Sequence, residues 1–303
     1  MQATLLILIL LSMGSQAYGQ VNLPVLGDSV SGTISTQQEY EFGRELLRQI
    51  RRETPMLDDP LMMEYIISLT YKLAVKSELR DHRLEFVLID NEILNAFAAP
   101  GGIVGVNAGL FLFAENEGQF ASVLAHELAH ISQRHYARSV QEAQKSALPS
   151  VAGLLASLII ASTVGGDAGQ AALMTTQAVG QENRLRYSRS NEQEADRIGI
   201  RTLYNAGFDP NDMAGMFEQM MRMQSFSRRL PEFLSTHPLD ENRIADSKNR
   251  SNVLPAVQHA QSIEFLLMKQ RATLHYANDK DAIVRALQRD LPQLNGVEED
   301  AAI

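Results

Sequence analysis

Ala125-His126-Glu127-Leu128-Ala129-His130 is the stretch around which the chain is organised. It lies in a run, Asn116 to Arg138, that has no proline and one early glycine. Phe120, Val123, Leu124, Leu128 and Ile131 recur there every three or four residues, which predicts a helix. Asn116, with Gln119 three residues on, predicts an N-cap and capping box. Residues four apart share a helical face, so His126 and His130 project together. Two imidazoles so placed can hold one Zn²⁺ at about 2.0–2.1 Å each. Glu127 is turned about 100° away and reaches an attacking water rather than the metal, where a carboxylate can take the proton as a carbonyl is attacked.

A zinc hydrolase needs a third protein ligand and an open fourth position. The residues after His130 are Ile131-Ser132-Gln133-Arg134-His135, so the short-spaced third histidine of some zinc proteases is absent. A second helix bearing a glutamate is the usual alternative, and Asn191-Glu192-Gln193-Glu194-Ala195-Asp196 supplies one. Glu192 and Asp196 lie four apart on one face. Glu192 could bind zinc while Asp196 accepts the free ring N–H of a liganding histidine. Glu194 reads as a solvated acidic residue at a helix start. Further on, His237 precedes Pro238 and so is not mid-helix. It can serve as a donor to a tetrahedral oxyanion, or instead occupy the open zinc position. Arg243 is a partner for the developing charge.

Met1 to Gly19 has an apolar core, Leu5 to Leu11, then small residues, and reads as a signal peptide cleaved before Gln20. That places the protein in the periplasm. Residues 20–36 read as an extended arm. The chain has no cysteine, so disulfides are not available to hold the fold. Net charge is −9, which argues against a nucleic-acid partner. Helical patterns run from Gln37 to Arg52, Asp59 to Leu79, Asn191 to Tyr204 and Met213 to Ser225. Two more, Ile263–Tyr276 and Asp279–Leu291, form a C-terminal pair within 253–303. Leu84 to Ile89 reads as a strand. Asn95-Ala96-Phe97-Ala98, the turn Pro100-Gly101-Gly102 and Ile103 to Val106 read as a hairpin. An open strand edge beside a metal cleft can pair with an extended peptide; a plain sheet edge is the simpler reading. Val151 to Val164 carries no charge and the chain stays uncharged almost throughout to Gln181. It reads as a buried helix, or else as a lid or a peripheral membrane contact. The fold class is mostly α, an α+β arrangement with a small sheet.

Taken together, these motifs resemble the HtpX/BepA family of zinc metallopeptidases, and within it the periplasmic BepA-like proteins. The likeness spans roughly Asn22 to Asn252 and rests on Asn95-Ala96-Phe97-Ala98 with Pro100-Gly101-Gly102, on the His126–His130 motif, on Glu192 to Asp196, and on Thr236-His237-Pro238 with Arg243. It implies a zincin-like metallopeptidase domain over 37–252, with Glu192 as third ligand and Asn95, Ala96, Phe97 and Ala98 as the substrate-binding edge. It assigns His237 to transition-state binding or to a regulatory zinc contact, and the segment between the metal helices to a loop and helix over the site. The implied activity is endopeptidase quality control of stalled outer-membrane proteins, acting on unfolded polypeptide. BepA-like proteins carry a C-terminal repeat array that engages the barrel-assembly machinery; here at most one helix pair stands in its place. Two rivals are a chaperone or scaffold with a structural zinc site, and a zinc hydrolase of non-peptide substrates.

Overall fold

The computed structural model describes residues 34–145, 189–226, 232–257 and 262–290. The expected signal peptide, most of the N-terminal arm and the uncharged segment 151–181 lie outside them. Helix α1 (Thr36–Glu53) begins at Ser35, whose hydroxyl accepts from the Gln38 N–H while the Gln38 side chain accepts from the Ser35 N–H. Helix α2 (Pro60–Ala74) is capped by Asp59 and has proline in its first turn, where no donor is lost. It stops five residues short of the expected Leu79.

Among the described residues the sheet has three strands, β1 (Glu85–Ile89), β2 (Ala96–Ala99) and β3 (Ile103–Asn107), in the order β1-β3-β2. β2 and β3 form the expected hairpin, turned by Gly101 and Gly102, whose φ angles of 76° and 80° suit glycine. β1 pairs parallel to β3, an arrangement outside the sequence reading. Alternation divides the sheet cleanly. Val87, Ile89, Phe97, Ala99 and Ile103 face Leu46, Leu47 and Ile50 of α1. Leu88, Ala96, Val104 and Val106 face the main core. Phe97 stands opposite Gly105, and a Cβ on Gly105 would lie 2.1 Å from its ring, so a side chain there is excluded.

After a short α3 (Gly109–Phe113), helix α4 (Glu117–Ser132) runs through the main core, buried from Glu117 to His130. Asn116 caps it through Gln119 N–H at 2.7 Å, but the Gln119 side chain returns to Glu115 N–H rather than to the cap itself. The predicted helix to Arg138 is instead two helices. Arg134 takes a left-handed φ of 52°, the chain turns, and α5 (His135–Lys145) starts anew. No glycine or proline announces this break. Arg134 is held by Glu39 at 2.7 Å and by the Ile34 carbonyl at 2.6 Å.

Helix α6 (Arg189–Asn205) lies against α4 in the most extensive helix pairing of the fold. A Cβ on Gly199 would come within 3.3 Å of the His126 backbone nitrogen, so a small residue sets this spacing. Helices α7 (Asn211–Phe226), α8 (Glu232–Thr236) and α9 (Glu241–Asn252) follow. Met213, Met216 and Met220 fill the core, as methionines on a helix face commonly do. The C-terminal pair is α10 (Ile263–Tyr276) and α11 (Lys280–Asp290). Phe265, Met268 and Ala272 of α10 join the same core as α2 and α4.

Candidate metal centre

α4 delivers His126 and His130, α6 delivers Glu192 and Asp196, and the turn after α8 delivers His237. All five are buried. One donor atom each from His126, His130, Glu192 and His237 lies within 4.8 Å of the others. The separations are His126 Nε2 to His130 Nε2, 3.0 Å; His126 Nε2 to His237 Nδ1, 3.3 Å; and Glu192 to His126, His130 and His237, 3.4, 3.5 and 3.2 Å. A tetrahedron with bonds of about 2.0–2.1 Å has edges of about 3.3–3.4 Å. These separations lie near that edge length, so the four groups could close on one metal ion, and two or three imidazoles with one carboxylate are a suitable donor set.

Charge in the cluster follows from its surroundings. Burial lowers the His126 pKa, but Asp196 and Glu192 outweigh it and lift the ring to about 9. Burial drives His130 well below the ordinary histidine value. Burial raises Glu192, yet His237, His126 and His130 more than reverse this, so it is an anion. The Glu192 anion and the proton held on His126 go together, so a metal ion binding here would have to displace that proton. Burial holds the Glu127 carboxyl above its ordinary value, against the lowering pull of His237 and His126. Both Glu127 oxygens are buried and make no well-aligned hydrogen bond among the described residues; the Ala98 backbone N–H approaches the carboxyl, and His237 Nε2 stands 3.5 Å from one oxygen.

Asp196 Oδ1 lies 3.0 Å from His126 Nδ1, close, though not aligned as a good hydrogen bond. Its two oxygens accept a fork from Arg243, Nε and Nη2 each at 2.7 Å. Arg243 also donates to the Pro238 carbonyl at 2.7 Å and reaches Glu192 at 3.0 Å. Its contacts thus serve the carboxylates behind the cluster. Glu194, read from sequence as solvated, instead binds His135 at 3.2 Å and Arg138 at 2.7 Å. His135, missed in the sequence reading, is fully buried and stands 2.9 Å from His130. The signal for it was slight: a lone histidine inside an expected helical run, where five residues' spacing would turn it away from His130.

β2 is an edge strand packed against α4. Ala98 and Ala99 line a cleft of about 730 Å³ with His130, Tyr136 and Arg138. Phe97 turns into the core beneath α1, and Ala96 faces the main core. Asn95 precedes the strand; its carbonyl accepts from Asn107 N–H at 3.0 Å and its side chain bonds Glu232. What β2 offers a ligand is therefore backbone.

The class these features define is a metallopeptidase. The profile of peptidase family M48 matches residues 60–251, and the chain belongs to that family. It is 39% identical over 265 residues to the beta-barrel assembly-enhancing protease of Escherichia coli K12, covering 88% of this chain and 54% of that protein. The Yersinia pestis protein of the same name is 36% identical over 295 residues, 95% of this chain and 60% of that one. Mitochondrial metalloendopeptidase OMA1 of Schizosaccharomyces pombe is 31% identical over 180 residues, 59% of this chain and 50% of that one. The chain spans about half the length of these relatives. No helix among the described residues is long and apolar enough to cross a membrane.

Proposed function

We propose that the protein is a zinc-dependent endopeptidase of the periplasm that cleaves unfolded or stalled outer-membrane proteins. The observation that carries the reading is the buried donor set of His126, His130, Glu192 and His237 with the buried carboxyl of Glu127 beside it. The relatives' names support the substrate class and the link to barrel assembly.

In this reading His126, His130 and Glu192 hold the metal, and Asp196 orients His126 while Arg243 braces Asp196 and Glu192. Bound Zn²⁺ supplies Lewis-acid polarisation and acidifies water. Glu127 takes the proton from the attacking water and passes it to the leaving amine. Its raised pKa brings the carboxyl nearer the operating pH, which favours both transfers. An extended substrate adds along Asn95 to Ala98, at the edge that β2 leaves unpaired to another strand among the described residues, where backbone pairing accepts many sequences. This favours polypeptide over small non-peptide substrates.

His237 is the gate. With its ring present the donors number four, the count of a closed structural site rather than an open catalytic one. The ring also stands between Glu127 and Glu192, where water must sit. It must withdraw before attack.

The test is Glu127→Gln. The variant is expected to keep zinc and lose cleavage of an unfolded outer-membrane protein by at least about 10²-fold. Cleavage at the wild-type rate would remove Glu127 from the mechanism. Full function in cells without cleavage would favour a chaperone instead.

A further inference from the structure

His130 presents Nε2 to the donor cluster, 3.0 Å from His126 Nε2. Its other nitrogen, Nδ1, faces His135 Nδ1 at 2.9 Å. Beyond that ring, His135 Nε2 lies 3.2 Å from Glu194 Oε2. Arg138 Nη1 donates to the same oxygen at 2.7 Å. One proton arrangement satisfies the whole line. If Nε2 of His130 is a ligand, its lone pair is used and its proton must sit on Nδ1. His130 Nδ1–H then donates to His135 Nδ1, which must be unprotonated. The His135 proton therefore sits on Nε2 and donates to Glu194, a carboxylate that only accepts.

We propose that His135 is a positioning residue for the metal centre, fixing the tautomer and ring plane of His130, and that Glu194, steadied by Arg138, fixes His135 in turn. The proposal rests on the metal reading above. It makes the two liganding histidines unequal. His126 meets its carboxylate, Asp196, directly at 3.0 Å, whereas His130 reaches one through a second imidazole. The turn at Arg134 makes this line: its left-handed φ of 52° ends α4 and brings His135 back beneath His130. The Arg134 side chain is tied to Glu39 at 2.7 Å, so α1 secures the turn. A histidine five residues along a continuous helix would point about 140° away from His130 and could not make this contact.

The experiment measures Zn²⁺ affinity of the full chain by competition with a chromophoric chelator, together with the visible absorption spectrum of the Co²⁺-loaded protein. The variants are His135→Leu, His135→Asn and Glu194→Ala. Outer partners of metal-bound histidines are commonly worth about 10–100-fold in affinity. His135→Leu is expected to lose that much and to alter the Co²⁺ bands. His135→Asn keeps an acceptor near the place of Nδ1 and is expected to recover most of the loss. Glu194→Ala is expected to weaken binding several-fold without touching either ring. Wild-type affinity and spectrum in folded His135→Leu would overturn the proposal. If that variant does not fold, unchanged affinity in Glu194→Ala overturns it. Equal loss in the Asn and Leu variants also counts against it, since acceptor chemistry would then be irrelevant. Absence of Zn²⁺ binding in the wild type would instead overturn the metal reading itself, and the proposal with it.

Discussion

Glu127 and His237 face one another across the mouth of the donor cluster, 3.5 Å apart, and only one of them can own the space between. If His237 occludes the site, its removal should free it. His237→Ala is expected to raise cleavage of an unfolded substrate by about tenfold, the gain when a dominant occluded form is abolished. A fall in turnover would instead make the ring a helper of the transition state. Spacing made part of this site legible, while the resemblance to known metallopeptidases singled out Glu192 as third ligand and His237 as its neighbour. The four-residue steps in His126–His130 and Glu192–Asp196 put each pair on one helical face. His135 and Glu194 were not legible as partners. Their meeting depends on the backbone at Arg134 adopting a conformation that costs a non-glycine residue about 1 kcal/mol or more, which tertiary contacts to Glu39 and Ile34 repay.

At the level of elements, apolar period gave the long helices, but not the break at Arg134 or the helices α3, α8 and α9, and the glycine turn gave the hairpin. The parallel pairing of β1 with β3 was not readable, because it depends on the core between distant segments rather than on local pattern. The same holds for the seat of α1 on the hairpin. A Cβ on Gly43 would lie 2.1 Å from the Pro100 carbonyl oxygen, a backbone atom that cannot swing aside. Gly43→Ala is expected to destabilise the protein by about 1–3 kcal/mol, the usual cost of overpacking. It should also weaken substrate binding, since the hairpin carries β2. Equilibrium denaturation beside KM measurements checks both, and a stability gain would mean α1 does not press on the turn. Gly43 was silent in the sequence because a helical glycine states no reason for its size.

Across the whole molecule, α10 is bound into the core through Phe265 and to the rim of α2 through Arg271 and Asp59 at 2.6 Å. Burial raises the Asp59 pKa, but Arg271 and the capped Met62 N–H outweigh it and hold it below 3.8. A carboxyl depressed on folding stabilises above its unfolded pKa and loses that contribution as pH falls through the folded one. Asp59→Asn keeps a capping side chain but removes the charge. It is expected to cost up to about 1 kcal/mol at pH 7, the scale of a part-exposed pair, with the gap closing as pH falls through the folded carboxyl's own pKa. A gap independent of pH would exclude the charge as its source. In the proposed reading, distant segments of the chain converge on one zinc ion. Zinc content of the purified full chain, wild type beside Glu192→Ala, tests it most directly. One zinc per wild-type chain and its loss from the variant on dialysis are expected; a zinc-free wild type, or a variant that keeps its full zinc, would overturn the reading.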